Sequence, residues 1–115
     1  MPFGLQIHLE EIDKKLVVRI EGRIDAASAP VLDKKLEQLI EEKHREILLD
    51  FTRVDYLSSA GMRVLLAVTK RLHSLKGDLT LFALDADVFD IIRVAGLDKV
   101  LHICSNEQEA LHKNK

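Results

Sequence analysis

The chain has 115 residues, 47% hydrophobic and 31% charged, with 17 basic and 19 acidic side chains giving a formal net charge of −2. That is the length and composition of one globular domain, and a chain of this size buries roughly 65% of the surface its unfolded form exposes. The charges are interleaved, as in DKKLEQLIEEKHRE, and one Tyr, four Phe and no Trp argue against a nucleic-acid surface built on basic patches and stacking aromatics.

The opening MPFGLQIHLEE has neither a basic leader nor a long apolar run, and no stretch reaches the ~18 apolar residues of a membrane span. The expectation is a soluble, cytoplasmic protein with no membrane insertion. Leu5, Ile7 and Leu9 alternate, as do Leu16, Val18 and Ile20, with Val17 out of phase. Both segments read as half-buried strands joined by a hairpin turn over Asp13, Lys14 and Lys15. In SAPVLDKKLEQLIEEK, Ser28 can cap and Pro30 suits a first turn, while Leu32, Leu36, Leu39 and Ile40 recur at helical spacing.

EILLDF then predicts a short buried strand. Met62, Leu65, Leu66, Thr69 and Leu72 line the stripe of a second helix, expected over Met62 to Leu75 and ended by KGD at 76–78. LTLFAL is another buried strand. DVFDIIRVA is a helix capped by Asp85 or Asp87 and stopped by Gly96. VLHIC is a last strand, with Cys104 as a small buried hydrophobe, and SNEQEALHK a short helix opened by a Ser105–Gln108 capping box. The order β-β-α-β-α-β-α-β-α predicts one α/β domain spanning residues 1–115: a mixed β-sheet with an N-terminal hairpin, then alternating helices and strands with right-handed crossovers.

The chemistry concentrates in VDYLSSAGMRVLL, residues 54–66, where two serines and a glycine stand between a strand and a helix. Ser58 or Ser59 can cap the helix, since a serine oxygen satisfies a free N–H of the first turn. A catalytic serine needs a base and an oxyanion hole, but Leu57 stands where the nucleophile elbow requires glycine. A serine at a helix N-terminus can also accept a phosphate, whose charge meets free N–H groups and the positive end of the helix dipole. Spacing permits both the cap and the phosphoacceptor.

His8, His44, His73, His102 and His112 show no paired metal-ligand spacing, and a single cysteine cannot build a structural zinc site. No phosphate-cradling glycine loop is present. Neither a metal nor a cofactor is expected.

FTRVDYLSSAGMRVLLAVTKRL resembles the signature of the STAS domain family, in particular bacterial anti-sigma factor antagonists. VVRIEGRIDAASAPVLDKKL resembles the family's Gly-x-h-Asp segment at Gly22 and Asp25, and ADVFDIIRVAGLDKVLHICSNEQEAL its closing pattern. The resemblance implies a STAS fold and a switch protein rather than an enzyme. The partners would be an anti-sigma factor that is also a serine kinase with a histidine-kinase-like ATPase fold, and a metal-dependent serine phosphatase. Matching the family's glycine to Gly61 puts the phosphoacceptor at Ser59, with Ser58 as second choice where many members carry aspartate. Ala60, Gly61 and Met62 would complete the partner-binding turn, and Asp25 and Asp50 would lie near the serine at the same end of the sheet. Two other readings stay open: a STAS adaptor subunit of a transport or sensory complex, and a small-ligand or nucleotide-binding module.

Overall fold

A computed structural model describes residues 5–113. Nine elements follow in chain order: β1 (Leu5–Ile12), β2 (Lys15–Ile24), α1 (Ala29–Glu41), β3 (Glu46–Leu57), α2 (Ser59–Ser74), β4 (Asp78–Phe82), α3 (Ala86–Val94), β5 (His102–Cys104) and α4 (Glu107–His112). The strands lie side by side in chain order. β1 pairs antiparallel with β2, and every later pair is parallel, as strand–helix–strand alternation requires. The hairpin turn is tighter than expected. Only Asp13 and Lys14 form it, both at positive φ (52° and 68°), the geometry of a two-residue turn that follows strand twist. Lys15 already belongs to β2.

Helices α1, α2 and α3 cover one face of the sheet. Leu32, Leu36, Leu39 and Ile40 are all buried there, each burial contributing about 1.5–3 kcal/mol. Leu65, Val68 and Leu72 of α2 and Val88 and Ile92 of α3 complete the layer. Helix α4 packs on the opposite face, where Ala110 and Leu111 meet Val17, Leu48 and Phe82. The out-of-phase Val17 is thereby explained: β2 is apolar on both faces where α4 crosses it. Leu9 alternates correctly but is 45% exposed on the edge strand β1, whose Leu5 and Ile7 are themselves only partly buried against the core.

β3 runs twelve residues, well past the EILLDF segment. Its ladder with β2 shifts register twice, between Arg19 and Glu21 and between Gly22 and Arg23. Each shift gives β3 one extra residue, so Phe51, Val54 and Leu57 all face the core although they are spaced by three.

Two cap assignments and one helix boundary change. Ser28 has helical φ/ψ and makes no cap bond; Asp25 Oδ1 instead accepts from Ala27 N and Ser28 N, at 3.0 and 2.9 Å. Asn106, not Ser105, caps α4 by accepting from Glu109 N, while Glu109 accepts from Ser105 N. Helix α2 begins at Ser59, three residues before the expected Met62. Asp85 does cap α3, and Gly96 follows its end at φ 80°, where a side chain would be strained. Strand β4 stops at Phe82 because Ala83 turns to φ 62°. Cys104 is half-buried rather than buried.

Candidate functional site

The two serines have different jobs. Ser58 is extended (φ −86°, ψ 169°) and its Oγ accepts from Gly61 N at 3.1 Å, so it is the N-cap of α2. Ser58 N donates to Ile24 O at 2.8 Å, which pins the turn to the end of β2. Ser59 is the first residue of the helix and is exposed. With the cap assigned to Ser58, the Ser59 hydroxyl is available to solvent beside the free N–H groups of the first turn, and that turn carries no acid.

Gly61 is buried against Ile24 and Leu57. A Cβ there would sit 2.6 Å from Ile24 Cγ2 and 2.7 Å from Leu57 Cδ1. The glycine of the signature is a packing requirement that lets the first turn of α2 lie flat on the β2 and β3 ends.

Asp25 belongs to the same end of the molecule, one residue after Ile24. Its carboxyl is held below the usual range, first by the backbone hydrogen bond from Ser28, then by the Ser28 hydroxyl. Ser28 Oγ accepts from Asp25 N at 2.9 Å and lies 2.6 Å from Arg23 O, so Asp25 and Ser28 together shape the β2–α1 turn that flanks the serines. Ala60 lines a groove of about 310 Å³ between the starts of α1 and α2, with Ala26, Pro30, Asp33 and Arg63. Met62 lines a second groove of about 520 Å³ against α3, with Asp87, Asp90 and Val94, the last 76% exposed. The first turn of α2 thus stands between two shallow apolar grooves rimmed by charge.

Asp50 departs from the expectation. Between its β2 partner Arg19 and Leu57's partner Ile24 the sheet advances about 16 Å, and both bulges lie in between. Its Oδ2 accepts from Arg19 at 2.9 Å and its Oδ1 from Thr52 N and Oγ1. Burial opposes its ionisation, but the Thr52 and Arg19 hydrogen bonds outweigh that and lower its pKa. Arg19 also pairs with Glu10 and Glu107, tying α4 to the sheet. Asp50 is a structural anchor on the α4 side. The structure therefore gathers Asp25, Ser58, Ser59, Ala60, Gly61 and Met62, and leaves Asp50 out.

One cluster escaped the sequence reading. His73, Asp78 and His102 converge: His73 Nε2 lies 3.1 Å and His102 Nδ1 2.8 Å from Asp78 Oδ1. Lys113 Nζ and Thr80 Oγ1 hold the other oxygen at 2.6 and 3.1 Å. Burial raises the Asp78 pKa, but the hydrogen bonds from Lys113, His102 and His73 prevail and set it at about 2. The histidines are 29 positions apart in the chain, so no local spacing could have revealed them.

A model of the STAS domain matches residues 6–110. The chain belongs to the STAS domain family. It is similar to BtrV of Bordetella bronchiseptica, 29% identical over 92% of this chain and 91% of that one. It is also 28% identical to the anti-sigma-B factor antagonist of Listeria monocytogenes, over 92% of this chain and 94% of that one. Among solved structures, an anti-sigma factor antagonist from Mycobacterium paratuberculosis superposes with TM-score 0.87 at 24% identity, covering 96% and 94% of the two chains. The unphosphorylated form of SpoIIAA gives TM-score 0.77 at 21% identity, covering 92% and 93%. These two likenesses establish the fold. Among the described residues no helix is long and apolar enough to cross a membrane.

The division of labour between the serines has a direct test. Ser58→Ala is expected to cost about 1 kcal/mol of stability through loss of the cap, whereas Ser59→Ala costs close to nothing. Urea denaturation of both variants measures this, and a larger loss at Ser59 would reverse the assignment.

Proposed function

We propose that this protein is an anti-sigma factor antagonist controlled by phosphorylation of Ser59. Unphosphorylated, it binds an anti-sigma factor that is itself a serine kinase and so releases a sigma factor. Phosphorylation ends that binding, and a metal-dependent serine phosphatase restores it. The observation that carries the reading is the exposed Ser59 hydroxyl on the first turn of α2, beside a cap supplied by Ser58. The relatives' names point to the same activity, and SpoIIAA, a structural neighbour, is described in both phosphorylated and unphosphorylated forms.

The chemistry is a phosphoryl transfer. Ser59 Oγ attacks the γ-phosphorus of ATP in the kinase site, the bond to the ADP oxygen breaks, and the hydroxyl proton passes to a base of the kinase. The product phosphate meets the free N–H groups and positive dipole end of α2, with Arg63 one turn further on. Incubation with ATP and a cognate kinase is expected to give one phosphate per chain, located on Ser59 by peptide mass spectrometry. Stoichiometric phosphate on Ser58, with Ser59 unmodified, would overturn the assignment of the acceptor.

A further inference from the structure

We propose that His73, Asp78 and His102 form a binding site for a divalent transition-metal ion of the zinc class. Three elements meet there: His73 is in the last turn of α2, Asp78 opens β4 and His102 opens β5. One nitrogen from each imidazole and one carboxylate oxygen all lie within 4.8 Å of one another. Zinc bonds of about 2.0–2.1 Å place tetrahedral ligand atoms about 3.3 Å apart, so the 2.8 and 3.1 Å separations from Asp78 Oδ1 need only a slight opening.

The chemistry of the donors fits the same ion. Two imidazoles and a carboxylate suit zinc, nickel or copper and not magnesium, which prefers oxygen ligands and water. Thr80 and Lys113 hold the second oxygen of Asp78, fixing the carboxylate as outer-shell donors do around metal ligands. The Lys113 ammonium lies 3.4 Å from His102 Nδ1 and must swing away from that nitrogen when a cation arrives. Access is open, because the His73 and His102 side chains are 48% and 45% exposed. Three protein ligands leave one position for water, which defines an exchangeable site rather than a closed structural one.

Binding would clamp the C-terminal end of α2 to β4 and the edge strand β5. Ser59 lies at the other end of the same helix, about 20 Å away, so the metal site is separate from the serine turn. The test is calorimetric titration of the full chain with zinc chloride at neutral pH in a non-chelating buffer. One ion per chain is expected, with affinity at least about tenfold weaker in His73→Ala and in His102→Ala. Both positions are exposed, so these variants should fold normally. Cys104→Ser and His8→Ala should bind like the parent, and magnesium chloride should give no saturable heat. Absence of saturable zinc binding, or parental affinity in both His73→Ala and His102→Ala, would overturn the site. Loss of binding in Cys104→Ser alone would overturn it too, by assigning the ion to the thiol.

Discussion

Phosphorylation of Ser59 is expected to weaken binding to a cognate anti-sigma factor about a hundredfold, equivalent to ~3 kcal/mol, while leaving the fold intact. Two effects of opposite sign compete at this position. Within the isolated protein the anion sits on the first turn of α2, where the helix dipole favours it by roughly 0.3–1 kcal/mol when exposed. At an interface shaped for a neutral hydroxyl, the same anion must be stripped of water or set against an acid, at a cost of several kcal/mol. The interface effect is larger, so the modification acts on binding and not on folding. Ser59→Asp carries less charge than a phosphate and should weaken binding in the same direction by a smaller factor. Ser59→Ala should bind at parental strength, resist phosphorylation and melt at the parental temperature, because Ser58 supplies the cap. Calorimetric titration of the four forms against the anti-sigma factor, with melting curves alongside, measures all of this. Equal affinity of the four would place residue 59 outside the interface and remove the basis for the switch.

Local periodicity made most of the fold legible. The alternation in β1 and β2 and the leucine stripe of α1 are properties of a few consecutive residues, and the structure follows them. The second half of β3 was not legible. Two bulges against β2 respace its core residues to 51, 54 and 57, a pattern that matches neither a strand nor a helix. The resemblance implied that Asp50 lies near the serine, and the structure separates them because β3 continues past Asp50 to Leu57 before the turn. Cap identity was legible only to within a residue or three. Consecutive small polar residues such as Ser58 and Ser59, or Ser105 and Asn106, offer the same oxygen, and the backbone angles that choose between them are set by packing. The His73–Asp78–His102 cluster is created by the meeting of α2, β4 and β5 and has no local signature at all.

Gly61→Val is expected to destabilise the protein by about 3 kcal/mol and to impair partner binding at the same time. Replacing a helical glycine normally helps, since Ala is favoured over Gly by about 1 kcal/mol in a helix interior. At position 61 the first added carbon already meets Ile24 Cγ2 at 2.6 Å and Leu57 Cδ1 at 2.7 Å, closer than side-chain carbons pack. Ile24 and Leu57 are both essentially inaccessible to solvent, so relieving the contact requires a rearrangement inside the core. Overpacking of this kind costs about 1–3 kcal/mol for a methylene or two, which exceeds the propensity gain. Gly61→Ala should therefore be mildly destabilising, the residue of two opposed effects, and Gly61→Val strongly so. Relief of the clash must lift the first turn of α2 off the strand ends. That movement breaks the Gly61 N–Ser58 Oγ cap and strains the Ser58 N–Ile24 O bond, displacing Ser59 with the turn. The graded series Gly, Ala, Val should show falling melting temperature together with falling affinity for the anti-sigma factor. Parental stability in Gly61→Val would mean that Ile24 and Leu57 repack freely and that the glycine is not a packing requirement.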